Sequence, residues 1–189
     1  MKTFCLVVVW MCTCIWNTQA QKLKGDLSVL KNESQVNLVF NYEGVTIDGE
    51  EEAAYVERNA KEKGGEDIQG WKDNWYGKFR EEIYRTEFTK YMNDELKKLE
   101  GGPFDNASYT LIVKLSDMDP GNFAGPFSNP CKLTGVVTLV KAGTTEALAA
   151  FPFRKICGNA FQAQTERRIG SSFGVLGKVT GKMIAKGMK

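Results

Sequence analysis

The sequence predicts an α+β fold, a two-layer sandwich in which helices cover one face of a mainly antiparallel sheet of about four strands. Three observations predict it. Apolar residues alternate with a period of two in four separate stretches, at 36–40, 109–115, 133–140 and 147–156. Between the first and second lies a run, 71–96, with apolar residues about every four positions, and a further amphipathic run follows Gly158. With 189 residues, 42% of them hydrophobic, and no internal repeat or low-complexity linker, one core is expected over residues 21–189.

The segment before residue 21 reads as a secretory signal peptide, 1–20. Lys2 is its one charge, an apolar stretch follows from Phe4, and small Thr18 and Ala20 form the cleavage site. Polar Thr13, Asn17, Thr18 and Gln19 leave it short of a membrane span. Bulky Met11 before Cys12, and Cys12-Thr13 before Cys14, fit a lipid-attachment signal poorly, so export without a lipid anchor is expected, to the periplasm or beyond the cell.

In the first strand Val36, Leu38 and Phe40 share a face, and Gly44 ends it. Glu50-Glu51-Glu52 then opens a short helix, because carboxylates favour the positive end of the helix dipole, and Gly64-Gly65 breaks it. Trp71, Trp75, Phe79 and Ile83 recur every four residues, and Phe88, Tyr91, Met92 and Leu96 continue with a phase shift. That pattern predicts one long helix, or two with a kink near Thr86, ending by Gly101-Gly102-Pro103. Leu111, Val113 and Leu115 mark the second strand, and residues 133–140 and 147–156 form a hairpin turned by Gly143-Thr144-Thr145. In the last helix Ile169, Phe173, Leu176 and Met183 make one stripe. Gly170, Gly174, Gly177 and Gly181 lie beside it, a pattern that predicts close packing of the helix backbone on the sheet.

Once the leader is removed, only Cys131 and Cys157 remain, and an exported chain with two cysteines suggests one disulfide. A hairpin symmetric about Thr144 sets Cys131 opposite Cys157. The same register pairs Leu133 with Lys155, Gly135 with Phe153, Val137 with Phe151 and Leu139 with Ala149, and a bulge near Pro152 reconciles the missing proline N–H with the ladder.

The chain contains no histidine, which excludes Ser-His-Asp and Cys-His catalysis and imidazole-bound zinc or haem. No other catalytic motif stands in its place. Asp117-x-Asp119 offers two hard ligands, too few for a metal, and the glycines around Gly174 lack the lysine of a phosphate loop. No cofactor and no metal are therefore expected. The mature net charge of +1, one less than the whole chain's +2, gives no reason for a nucleic-acid partner.

Three segments merit attention. The loop 117–130 carries Asp117, Asp119, Phe123 and Phe127 among glycines and prolines. It reads as a binding element or as a loop with both phenylalanines folded beneath it. The last helix carries Arg167, Arg168, Lys178, Lys182 and Lys186, a cationic face suited to an envelope component, with contact to an anionic membrane surface the weaker reading. The aromatic helix 71–92 supports an alternative, binding of a small ligand or carbohydrate, or carbohydrate chemistry, if Trp71, Trp75 and Tyr76 line an open pocket beside two carboxylates.

Residues 24–31 and 36–42, the Trp71/Trp75 helix, Tyr109-Thr110-Leu111-Ile112-Val113, the glycine-rich basic last helix and the Ala20-Gln21 junction together resemble an uncharacterised family of exported proteins from Bacteroides-type bacteria. The resemblance spans residues 21–189 and implies location and fold rather than activity. More distantly, the element order resembles small α/β domains in periplasmic parts of outer-membrane and secretion assemblies. The expectation is an exported, non-enzymatic protein of the cell envelope that binds another protein or an envelope component. Its oligomeric state is not legible.

Overall fold

In the computed structural model, which describes residues 23–189, the centre of the sheet is the strand β6 (Tyr109–Asp119). Its Leu111, Val113 and Leu115 are buried while Lys114 and Ser116 are exposed, so the period of two translates directly into one covered face. The expected signal peptide lies outside the described residues.

One sheet of eight strands forms, rather than about four. The four expected strands are present as β2 (Gln35–Asn41), β6, β7 (Lys132–Lys141) and β8 (Ala147–Cys157). Four short pieces extend them: β1 (Lys24–Gly25), β3 (Thr46–Ile47), β4 (Glu50–Glu51) and β5 (Glu100–Gly102). The order is β1-β8-β7-β6-β2-β5, with β3 beside the end of β6 and β4 beside β3. The sheet is mixed, because β2, β3 and β5 make parallel pairs and β6, β7, β8 and β1 are joined antiparallel. The chain from β2 to β6 crosses over through helices, and such a crossover returns a strand parallel to its start.

The hairpin keeps the expected register through Gly135–Phe153, Val137–Phe151 and Leu139–Ala149, with Pro152 directly opposite Val136. It then slips. Lys155 takes a positive φ of 52°, the register shifts between Leu133 and Gly135, and Leu133 meets Ile156 while Cys157 meets Lys132. The bulge thus sits two to three residues beyond Pro152 and moves Cys157 off Cys131. The structure accordingly has no disulfide there, correcting the sequence expectation. Cys131 is a buried thiol whose pKa is pushed far up by burial, and the Cys157 thiol donates to the Lys155 carbonyl at 3.1 Å.

The helical layer begins with α1 (Glu52–Lys63) and α2 (Ile68–Asp73). From α2 the chain continues without a break into a π-helical segment (Asn74–Arg85) and α3 (Thr86–Asn93). No kink occurs at Thr86, whose backbone stays helical at φ −61° and ψ −48°. The wider i→i+5 turn absorbs the phase shift instead, letting Trp75 and Tyr84 point inward before Phe88 and Met92 do.

The last helix, α4 (Thr165–Gly187), uses its glycines against helix rather than sheet. A Cβ at Gly177 would enter the Phe88 carbonyl oxygen, one at Gly181 the Met92 carbonyl, and one at Gly174 would stand 2.8 Å from the Tyr91 ring. Backbone contact with α3 is what offsets the helix propensity lost at these positions. Between the layers Phe40 meets Phe88 at 5.2 Å edge-on, and within the helical layer Tyr84 stacks on Phe173 at 5.1 Å.

Candidate functional site

The end of β6 launches the 117–130 loop, and both of its carboxylates are committed to structure. Asp117 accepts from the Thr46 hydroxyl at 2.8 Å. Asp119 accepts from Lys132 Nζ at 2.7 Å and from the Gly121 N–H at 2.9 Å. Burial alone would raise the Asp119 pKa, yet these donors outweigh it and hold the carboxyl below its ordinary range. Among the described residues no group of three His, Cys, Asp or Glu is placed to hold a metal.

Beyond them the loop narrows to a neck. Asn122 and Asn129 exchange backbone hydrogen bonds at 3.2 and 3.0 Å, and Asn129 Nδ2 donates to Asn122 Oδ1 at 3.0 Å. Above the neck a 3-10 turn (Gly125–Phe127) is closed by Ser128, whose hydroxyl accepts from the Ala124 N–H and donates to the Gly125 carbonyl. The apex therefore satisfies its own backbone. Phe123 and Phe127 are consequently not folded beneath it, and they stand 50% and 81% exposed.

Arg168 fixes the neck to the helical layer. The sequence places it on a cationic surface, but it is 3% exposed. Its guanidinium donates to the carbonyls of Pro120 at 3.0 Å and Gly121 at 3.3 Å on the loop, and to those of Gln162 at 2.7 Å and Ala163 at 3.3 Å before α4. The planar fork reaches both segments at once, as an ammonium does not. One residue from the pinned carbonyls, Phe161 is 68% exposed, a third aromatic at this end that sequence reasoning missed. Its signal was a lone phenylalanine between Gly158-Asn159 and the polar run Gln162-Ala163-Gln164. Ser172 and Ser171 of α4 hold that segment by accepting from the Gly158 and Asn159 N–H groups. A cleft of about 470 Å³ runs beside the neck, bounded by Phe123, Arg168, Asp48, Arg58 and Tyr55. Burial pushes the Tyr55 phenol up to about 12.

The other cations divide. Arg167, Lys178 and Lys182 line a groove of about 980 Å³ along α4, facing Ile83, Glu87 and Tyr91 of the neighbouring helix. Lys186 is exposed outside it.

The aromatic helix serves the core. Trp75 is 2% exposed, stacks on Trp71 at 5.6 Å, and donates from its indole to Glu52 at 3.0 Å. Glu52 also pairs with Arg80 at 2.5 Å, and the Arg80 guanidinium lies 4.1 Å over the Tyr42 ring. Tyr76 remains partly exposed above Arg80, but Trp71, Trp75 and Tyr76 line neither cavity.

Fold and site together define a mixed-sheet α and β domain with a stapled aromatic loop at one sheet end and a cationic helix groove. Searches against protein-family models, curated proteins and solved structures return no match for this chain.

Proposed function

We propose that the protein is an exported, non-enzymatic component of the cell envelope that binds another protein through the apex of the 117–130 loop. The observation that carries this reading is Phe127, 81% exposed beside half-exposed Phe123 on a loop whose neck is anchored by a buried arginine. Exposed aromatics on a preorganised backbone are what protein interfaces use as anchors, since little further ordering is needed on binding. Phe161, on the segment tied to the same guanidinium, adds apolar surface at this end.

A non-enzymatic role is supported by the chemistry at hand. The chain has no histidine, and the acids nearest the loop are held by Thr46, Gly121 and Lys132. Export is supported by the sequence of residues 1–20 and by the resemblance to exported proteins of Bacteroides-type bacteria.

The test is site-specific photocrosslinking in the producing cell, with a benzophenone amino acid at position 127 and, as control, at the exposed Lys141. A discrete adduct from 127 that is absent from 141, and lost in Phe123→Ala, supports the reading. No adduct from 127, or the same adducts from both positions, overturns it.

A further inference from the structure

The groove along α4 is independent of the loop apex, and its charge has no internal explanation. Arg167, Lys178 and Lys182 are exposed, and none takes part in a salt bridge among the described residues. At 3.6 residues per turn they fall within about 60° of one another around the helix, so they present a single line of positive charge. Among the described residues that line the groove, Glu87 is the one carboxylate, which leaves an excess of two positive charges there. Apolar surface runs alongside, from Val175 and Val179 on α4 and from Ile83 and half-exposed Tyr91 opposite.

Spacing decides what this arrangement fits. Arg167 and Lys182 are about 22 Å apart along the axis at 1.5 Å per residue, with Lys178 about 6 Å from the latter. Cations that hold a single phosphate converge on one point, and these are strung out instead. A bilayer presents a flat surface, whereas this charge lines a concavity of about 980 Å³. A linear partner with several negative charges and an apolar edge satisfies both features. The commonest such object is an amphipathic helix laid in a groove, its apolar residues at i, i+3, i+4 and i+7.

We infer that the α4 groove is a docking site for an acidic amphipathic helix of a partner protein. Its carboxylates meet Arg167, Lys178 and Lys182, and its apolar edge covers Val175, Val179, Ile83 and Tyr91. This goes beyond the loop reading and does not depend on it. Gln162, whose carbonyl is bonded to Arg168, lines the groove, and the next residue, Ala163, bonded to the same guanidinium, lines the cleft beside the loop neck, so the two surfaces meet at Arg168.

The test is fluorescence anisotropy with the purified protein and a labelled peptide of about 18 residues, Leu at the apolar helical positions and Glu beside them. A scrambled peptide of the same composition is the control. Specific binding is expected for the first peptide alone, weakened about tenfold in Lys178→Glu/Lys182→Glu and unchanged in Phe123→Ala/Phe127→Ala. Circular dichroism melts establish that each variant is folded. If Lys178→Glu/Lys182→Glu melts early, the charge-neutralising Lys178→Gln/Lys182→Gln replaces it, with weakening of at least threefold expected. Equal binding of both peptides, binding unaffected by the lysine variants, or no peptide binding overturns the inference. Flotation with anionic phosphatidylglycerol vesicles alone, or capture by polygalacturonate alone, is a form of the last outcome and assigns the groove to lipid or glycan.

Discussion

Two regions of this molecule carry aromatic residues and treat them in opposite ways. In the helix 71–92, Trp75, Tyr84 and Phe88 are buried because a helical period aligns them on one side, where Tyr55 and Phe173 receive them. In the loop 117–130, Phe123 and Phe127 have no period and no second layer above them, while hydrogen bonds from Asn122, Asn129, Ser128 and Arg168 consume the backbone's polar groups. A loop that needs no help from its side chains can hold them in solvent. Aromatic content alone therefore says little about binding, and what the backbone does beneath the rings says more.

The difference appears first in stability. Trp75→Ala empties a packed site and takes the indole donor from Glu52, so it should lower the unfolding free energy by about 3–5 kcal/mol. Phe127→Ala should leave it within about 0.5 kcal/mol, as urea titrations will report. Next in size is the anchor. Arg168→Ala leaves four carbonyls without their charged donor and should cost about 3 kcal/mol, a fall in Tm of roughly 6–12 °C. Arg168→Lys should recover little of it, because one ammonium cannot span both segments.

Glycines sharpen the contrast further. Gly177→Ala drives a methyl into the Phe88 carbonyl and should destabilise by about 1–3 kcal/mol. Gly77→Ala meets open space in the π segment and should be neutral or stabilising by up to about 1 kcal/mol, measured by the same titrations. The smallest effect is titration of Asp119. A carboxyl held below its ordinary value of 3.8 contributes stability above that pH and loses it as pH falls through the folded-state value. Relative to its intrinsic exchange rate, the Gly121 amide should therefore lose protection as pH falls below 3.8, and Asp119→Asn should show that lower protection already at pH 6. Because the side chain is 41% exposed, the whole effect should stay under about 1 kcal/mol.

How much was legible in the sequence follows from length and period. The four strands of seven or more residues carried their own alternation and were found, as was the register from Gly135 to Leu139. Strands of two or three residues have no period to read, and their partners alone define them. One pair of these had a local signal that sequence reasoning passed over. Asp48-Gly49 turns β3 into β4 with positive φ at both positions, 55° and 79°, the two-residue hairpin turn such a dipeptide favours. The parallel pairing of β2 with β6 departs from the mainly antiparallel expectation, and the helices between them supply the crossover such a pair needs. Arg167 and Arg168, adjacent on a helix, point about 100° apart and so cannot share one face. Only the folded chain shows which of them turns inward, because the carbonyls that receive Arg168 come from residues 120, 121, 162 and 163. The Lys155 bulge that displaces Cys157 has no local mark, since lysine rarely adopts a positive φ and nothing adjacent calls for one.

Amide hydrogen exchange at the loop neck, read residue by residue by NMR in the wild-type protein and in Arg168→Ala, tests the stapled loop most directly. The Asn122 and Asn129 amides, which bond each other's carbonyls across the neck, should be protected in the wild type. In the variant they should exchange at least tenfold faster, while amides in the middle of α4 keep their protection relative to global stability. Wild-type neck amides that exchange at the rate of an unstructured peptide, or protection that is the same in both proteins, would contradict a loop held ready by Arg168.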